Sequence, residues 1–202
     1  NGESNPLELV VALVEEIKPA GAKIPKLTTF ETTTALGFLA FARQNVNAAV
    51  IEVGLGGRLD ATNIVTPNVS VITSLSYDHM AVLGNTLAKI AGEKAGIIKP
   101  GIPVVSSPQK EEALEVLERI ANERNCPFVL VGRDVKFKRL TSSLDGQSIE
   151  IIENGDSSLA VRIPLLGEHQ IQNAATAYTA LKKSGLEISD NAIQDGFFQV
   201  KW

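Results

Sequence analysis

Residues 103–131 read PVVSSPQKEEALEVLERIANERNCPFVLV, and this stretch decides the fold class of the chain. Two short valine-rich runs, at residues 103–105 and 127–131, flank a segment with apolar residues at helical spacing. Those apolar positions are Ala113, Leu114, Leu117, Ile120 and Ala121. A strand, a helix and a second strand of these lengths predict two parallel strands that are joined by a right-handed crossover.

Two further stretches extend this alternation toward the N-terminus. Residues 48–53 and 69–73 are apolar and rich in β-branched side chains, which predicts strands that are buried on both faces. Helices are predicted over residues 5–18, 30–44, 86–97 and 111–125. The expected fold class is therefore α/β, with a mostly parallel sheet that is flanked by helices.

Beyond Gly132 the pattern changes to short strands separated by tight turns. Strands are predicted over residues 135–140, 148–152 and 159–163. Asp-Gly at residues 145–146 and Asn-Gly at residues 154–155 favour two-residue hairpins between them. These features predict a small antiparallel β meander appended to the parallel sheet. Two helices are expected after it, one capped by Gly185 and one that begins near Ser189.

The charge balance excludes several classes of partner. The 202 residues include 19 Lys and Arg and 23 Asp and Glu, for a net charge of −4. A surface that binds nucleic acid or an anionic membrane needs a positive patch, so neither partner is expected. Cys126 is the single cysteine, which excludes an internal disulfide and favours a cytoplasmic protein. No apolar run approaches the roughly 20 residues of a membrane span.

The first candidate site is AAVIEVGLGGRLDATN, residues 48–63. Glu52 lies within the apolar run, where a buried carboxylate is costly unless it is paired or bound to a metal. The glycines that follow let the backbone approach a ligand closely. Because Leu59 occupies the third glycine position of G-x-G-x-x-G, a dinucleotide fingerprint is a poor fit. The structural alternative is an ion pair between Glu52 and Arg58 beside a tight turn.

A second candidate site follows the next predicted strand, where residues 73–79 read TSLSYDH. The carboxyl ends of neighbouring parallel strands lie at one edge of a sheet, so Asp78 and His79 are expected near Glu52. An imidazole at that edge can be a metal ligand or a general base. The alternative is that His79 only caps a helix.

Two more segments have a functional and a structural interpretation each. Lys94, in EKAGIIKPG (residues 93–101), suits the last turn of a helix, where a cation interacts favourably with the helix dipole. In GEHQIQN (residues 167–173), an imidazole and amides at a helix N-terminus can bind an adenine or a phosphate, or can simply cap the helix. The sequence contains neither a G-x-x-x-x-G-K-[ST] phosphate loop nor a G-x-S-x-G nucleophile elbow.

Taken in order, these segments resemble the folylpolyglutamate synthase/dihydrofolate synthase family of the Mur ligase superfamily. The matching strings are TTFE (28–31), EVGLGGRLDATN (52–63), SYDH (76–79), LGNTL (83–87), EKAGIIKPG (93–101) and GEHQIQNAATA (167–177). They cover most of the chain. The resemblance implies that residues 1–202 are a central Mur ligase-type ATPase domain. The family's N-terminal phosphate loop, its C-terminal glutamate-binding domain and a Pro-Gly-Arg run after Trp202 are expected outside it.

The resemblance also implies an activity. The family adds L-glutamate to folate or dihydropteroate through an acyl phosphate, with ATP as co-substrate and Mg²⁺ as cofactor. The partners implied are small molecules only, the parent enzyme is expected to be a cytoplasmic monomer, and residues 1–202 alone are expected to be inactive. Two alternatives remain: a Mur-type ligase that acts on cell-wall precursors, and a nucleotide-binding module that has lost catalysis.

Individual roles follow from the resemblance, position by position. Glu52 and His79 match Mg²⁺ ligands, and Lys94 matches a lysine that is carbamylated in relatives, so Lys94 and His79 are the expected catalytic residues. Positions that contact the pteroate group are matched by Thr28, Thr29, Phe30, Glu31 and Leu59. Adenine-site positions are matched by Asn173, with His169 and Gln170 as helpers.

Overall fold

The computed structural model describes residues 4–153 and 157–201, and the chain divides into two compact units. The first unit ends at Val65 and the second begins at Thr66. The first contains α1 (Leu7–Gly21), α2 (Thr29–Arg43) and a 3-10 turn (Ala61–Ile64). The two helices pack against each other, and both were predicted from the sequence.

Residues 48–53 are not a strand, and the prediction of one there is wrong. This segment has no regular secondary structure, Val50 is 97% exposed and Glu52 is also exposed. A strand needs a hydrogen-bonded neighbour, and within the described ranges 4–153 and 157–201 these residues join no ladder. The carboxylate of Glu52 is therefore in contact with solvent, so burial does not require that it be paired.

The second unit holds a three-stranded parallel sheet. Its strands are β1 (Ser70–Ile72), β2 (Val104–Ser106) and β3 (Phe128–Leu130), in the order β1-β2-β3. The connection from β1 to β2 contains α3 (Met80–Leu83), α4 (Leu87–Lys94) and a 3-10 turn (Ala95–Ile97), and α5 (Glu111–Glu123) connects β2 to β3. The predicted strands and crossover helices of this region are confirmed.

The antiparallel meander is also confirmed. It consists of β4 (Val135–Ser143), β5 (Gly146–Glu153) and β6 (Ser157–Ile163). The turn between β4 and β5 is formed by Leu144 and Asp145, one position before the predicted Asp-Gly pair. Gly146 is the first residue of β5, pairs with Ser143 and takes a φ of +126°, which a residue with a side chain rarely adopts. The predicted Asn-Gly turn at residues 154–155 lies outside the described residues.

Two helices complete the second unit. The C-cap of helix α6 (Glu168–Lys183) is Ser184, and Gly185, the predicted cap, follows one position later with a φ of +75°. Helix α7 (Asp190–Phe198) begins after Ser189, whose Oγ accepts a hydrogen bond from the Ala192 amide at 3.2 Å. The predicted N-cap is confirmed.

Strand β2 separates two apolar layers of the core. Val104 packs in the layer that contains Leu117 of α5, whereas Val105 packs in the layer that contains Ile149 of β5 and Ile171 of α6. Consecutive strand residues point to opposite faces, and both valines are fully buried. Burying each such side chain contributes about 1.5–3 kcal/mol. The layers hold the carboxyl ends of β1 and β2 in place.

Candidate functional site

A capping box begins helix α2. Thr28 Oγ1 accepts from the Glu31 amide at 3.1 Å, while the Glu31 carboxylate accepts from Thr28 Oγ1 at 2.7 Å and from the Thr28 amide at 2.8 Å. The hydrogen bond from the Thr28 hydroxyl, and to a smaller extent that from the Thr28 amide, holds the pKa of Glu31 below its ordinary value. Thr29 is the first helical residue. Two of the residues expected at the pteroate group thus also define where α2 starts.

Phe30 packs directly on Gly54. A Cβ at Gly54 would lie 2.7 Å from Cε2 of the ring, so only glycine allows this approach. The glycine was expected to leave room for a ligand, and the structure shows an aromatic side chain in that space instead. Leu59, the other residue expected at the pteroate group, is 81% exposed.

A cleft of about 230 Å³ opens in the first unit between α2 and the segment that contains Glu52. Its lining is mostly apolar, and three of its residues are phenylalanines of α2: Phe30, Phe38 and Phe41. Glu52 and Thr62 supply polar groups. The cleft therefore brings together Phe30 and Glu52, two of the predicted site residues, and suits a flat apolar group that carries a polar end.

Asp60 organises the glycine-rich loop, and sequence reasoning missed it. Its Oδ2 accepts from the amides of Gly54 and Leu55 at 3.0 Å each, and its Oδ1 accepts from the Thr62 amide at 2.9 Å and from Thr62 Oγ1 at 2.6 Å. Burial would raise the pKa of Asp60, but the hydrogen bonds outweigh it and the pKa is lowered. The signal was Asp-x-Thr, a local capping pattern.

In the second unit, Asp78 and His79 lie in the connection after β1. His79 has a left-handed backbone, with φ of 49°, and is the N-cap of α3, but its imidazole makes no capping hydrogen bond. Asp78 Oδ1 accepts from the His79 amide at 2.8 Å, and Asp78 Oδ2 lies 3.6 Å from His79 Nε2. Both side chains are exposed, so the imidazole can reach a ligand.

Lys94 is the last residue of α4 and is half-buried. Thr86 begins this helix, because Thr86 Oγ1 accepts from the Lys89 amide at 3.2 Å. A cation is favourable at the C-terminal end of a helix, so this position is consistent with Lys94 acting only on the helix dipole. Carbamylation of Lys94 stays a prediction.

The start of α6 holds the three residues expected at the adenine. The N-cap, Gly167, has a φ of +105°, and the ring of His169 folds back over it: a Cβ at Gly167 would lie 2.7 Å from His169 Cε1. Gln170 is buried, and its Oε1 accepts from Asn173 Nδ2 at 3.3 Å. His169 and Asn173 are exposed, so these two present polar groups to a ligand while Gln170 orients Asn173.

A second glutamine fixes this start of α6. Gln147 is 1% exposed, and its Nε2 donates to the carbonyl oxygens of Leu165 and Gly167 at 3.0 and 2.9 Å. The meander therefore holds the N-terminus of α6 in place. Sequence reasoning missed this residue, which lies one position before the strand predicted over residues 148–152, since a polar side chain gives no local sign of a distant partner.

Within the residues described, 4–153 and 157–201, no group of three or more His, Cys, Asp or Glu side chains could hold a metal ion. Glu52 belongs to the first unit and His79 to the second. Their sharing of one Mg²⁺ stays a prediction. In the same ranges, no helix has the length and apolar character that crossing a bilayer requires.

Comparison with known proteins decides the family. Residues 7–181 match the Mur ligase middle domain. The chain belongs to this family. This Mur ligase middle domain is 38% identical over 201 residues to the dihydrofolate synthase/folylpolyglutamate synthase of Bacillus subtilis, and the match covers 95% of this chain and 47% of that protein.

Solved structures of folylpolyglutamate synthases are similar along the whole domain. The Mycobacterium tuberculosis enzyme, complexed with ADP and AMPPCP, is 33% identical with a TM-score of 0.91, over 100% of this chain and 48% of that one. A folylpolyglutamate synthase in complex with AMPPCP and folate is 33% identical with a TM-score of 0.87, over 96% of this chain and 48% of that one. These matches confirm the family resemblance and the α/β fold. The chain spans about half the length of the relatives it matches.

Proposed function

We propose that this chain is the ATP-binding middle domain of a ligase that adds L-glutamate to folate or dihydropteroate. The observation that carries the proposal is the match, over nearly the whole chain, to folylpolyglutamate synthases, one of them solved with AMPPCP and folate. The proposal includes a cytoplasmic, monomeric parent enzyme whose partners are small molecules. Since the sequence holds no phosphate-cradling G-x-x-x-x-G-K-[ST] loop, these residues alone are expected to show no turnover.

The proposed reaction has two steps. A carboxylate oxygen of the folate or pteroate substrate bonds to the γ-phosphorus of ATP, and the bond from that phosphorus to the ADP oxygen breaks. The glutamate nitrogen then bonds to the acyl carbon, inorganic phosphate leaves, and the nitrogen loses a proton. Such phosphoryl transfer depends mainly on positioning and on neutralisation of charge.

The cleft of the first unit is the proposed site for the pteroate group. The three phenylalanines of α2 offer apolar surface on which a flat ring system can pack. Thr28 and Glu31 hold the start of α2, and so hold Phe30 against Gly54. Leu59, being exposed, can add a contact from the glycine-rich loop.

The donor chemistry of Glu52 fits Mg²⁺. This ion prefers oxygen ligands and is commonly held by one or two carboxylates together with substrate phosphates and water. Glu52 offers an exposed carboxylate beside the cleft, and His79 would add an atypical nitrogen ligand. When bound, the ion would neutralise phosphate charge. In the same proposal, His169 and Asn173 hydrogen-bond the adenine, and Lys94 becomes a carbamate as its neutral amine adds to CO₂ and loses a proton.

The test is incorporation of labelled glutamate by the longer protein that contains this chain. It is assayed with Mg·ATP and, in turn, folate, dihydropteroate or a cell-wall peptide precursor as acceptor. ATP-dependent transfer to either pterin acceptor is the expected result. Transfer only to the cell-wall precursor, or none at all, would contradict the proposal.

A further inference from the structure

One side-chain amide joins the carboxyl ends of β1 and β2. Gln109 lies three residues beyond the end of β2, and its Nε2 donates to the carbonyl oxygen of Thr73 at 2.9 Å and to Ser106 Oγ at 3.1 Å. Its Oε1 accepts from the amide of Leu75 at 3.0 Å. Both donor positions and the acceptor of the amide are thus used at the edge of the sheet where ligands bind in folds of this type.

Beyond the end of β1, the side-chain amide of Gln109 makes hydrogen bonds in place of those that a neighbouring strand would make. Strand β1 ends at Ile72, whose carbonyl oxygen still accepts from the Ser107 amide at 2.9 Å. Beyond it, Thr73 and Leu75 find in Gln109 the donor and the acceptor that a neighbouring strand would have offered. A glutamate lacks the donors and an alanine lacks both functions, so neither can make the three contacts of the glutamine amide.

These contacts anchor the segment that carries Asp78 and His79. At its start, the side chain of Leu75 is buried in the core, and its amide bonds to Gln109. At its end, the carbonyl oxygen of His79 accepts from the amides of Val82 and Leu83 at 2.9 and 3.0 Å. The exposed side chains of Asp78 and His79 therefore project from a stretch that is held on both sides.

We propose that Gln109 is a positioning residue, which sets the place of Asp78 and His79 at the carboxyl end of the sheet. Through that loop it governs how the ligase binds Mg·ATP, and this second step rests on the proposed function above. In this role Gln109 contacts neither the nucleotide nor the metal. Its contribution is to hold the backbone between β1 and His79.

The first test measures backbone hydrogen exchange in this chain, and it needs neither ligand nor activity. Gln109→Ala should speed exchange of the Leu75 amide about tenfold, the effect of one lost hydrogen bond at a protected position. Gln109→Glu keeps the acceptor for that amide, so a smaller increase is expected, and this variant keeps the test valid if alanine at 109 impairs folding. The matched control is Gln194→Ala, which removes a glutamine that donates to the carbonyl oxygen of Ala160 at 2.8 Å. It should leave the Leu75 amide unchanged.

The second test measures steady-state kinetics in the longer enzyme. Gln109→Ala should raise the KM for Mg·ATP several-fold more than it lowers kcat, whereas Gln194→Ala should change neither. An unchanged exchange rate of the Leu75 amide in Gln109→Ala would overturn the anchoring role. Faster exchange with an unchanged KM would overturn the link to nucleotide binding. An inactive wild-type enzyme would instead contradict the proposed ligase function, and hydrogen exchange would still decide whether Gln109 holds the loop.

Discussion

The hydroxyl groups of Ser107 and Thr176 lie 2.8 Å apart, and the two residues are 1% and 2% exposed. Thr176 Oγ1 also donates to the carbonyl oxygen of Gln172 at 2.8 Å. Since this bond uses the only proton of the Thr176 hydroxyl, Ser107 must be the donor within the pair. The contact links the residue after β2 to the middle of α6.

This direction of donation predicts unequal effects of removing the two hydroxyls. Thr176→Val should destabilise the chain by about 1–3 kcal/mol, because the Ser107 hydroxyl would lose its acceptor in a buried place. Ser107→Ala should cost about 0.5–1.5 kcal/mol, since Thr176 keeps its bond to Gln172. Denaturant unfolding of both single variants and the double variant measures these values. A larger loss in Ser107→Ala than in Thr176→Val would show that the donor is assigned incorrectly.

Gly54 and Gly37 should respond in opposite ways to the same substitution. Gly54→Ala places a methyl group against the ring of Phe30 and should destabilise the first unit by about 1–3 kcal/mol. Gly37 lies inside α2, and a Cβ added there would meet no atom within 4 Å, so Gly37→Ala should stabilise by about 0.5–1 kcal/mol. Thermal unfolding compares the two. In a Phe30→Ala background the penalty at Gly54 should disappear, and its persistence would refute the steric explanation.

Asp60 should make the stability of the first unit depend on pH in the acid range. Its pKa is lower in the folded chain than its ordinary value, so the unfolded chain binds more protons there. The stabilisation is complete above the ordinary pKa of an aspartate and is lost as the pH falls through the lower, folded value. Asp60→Asn should flatten this dependence, and Thr62→Val should move the loss to higher pH. Unfolding curves between about pH 2 and about pH 6 measure it, and identical acid profiles for Asp60→Asn and wild type would contradict the assignment.

Glu52 should matter more than His79 in the longer enzyme. Glu52→Ala removes both negative charge and an oxygen ligand, whereas His79→Ala removes a nitrogen ligand that suits Mg²⁺ poorly. Turnover and the magnesium concentration at half-maximal rate are the measurements. Glu52→Gln, which keeps the shape of the side chain, is the matched control for packing in the cleft. Unchanged turnover and magnesium dependence in Glu52→Ala would exclude the metal role.

Two substitutions of Lys94 distinguish a carbamate from an unmodified cation at the end of the helix. Lys94→Arg keeps the positive charge at the end of α4 but removes the amine that adds to CO₂. If the carbamate is needed, Lys94→Arg and Lys94→Ala should both lose most activity, and added acetate or formate should partly rescue the alanine variant. If Lys94 only suits the helix dipole, the arginine variant should keep near-wild-type turnover.

Local patterns predicted most elements of the second unit within a few residues, but not the short helix α3 (Met80–Leu83). The helix from Glu111 to Glu123 and the strands beside it follow from periodicity and β-branched runs, which are properties of the segment itself. Residues 48–53 have the same composition but form no strand, because a strand also depends on a partner that one segment cannot reveal. For the same reason the distant contacts of Gln109, with Thr73 and Leu75, could not be read from the sequence. The same holds for the contacts of Gln147 near the start of α6, and these four contacts join residues 18 to 36 positions apart. Asp60 could have been, since its partners are neighbours.

The division of the core by β2 has a consequence for cooperativity. Val104 and Val105 are adjacent, yet each anchors a different apolar layer, so one three-residue strand is common to both. If one layer unfolds, the face of β2 that it covers becomes exposed to solvent, and the other layer packs on the opposite face of the same strand. The helices of one layer and the meander of the other should therefore unfold together, in a single transition.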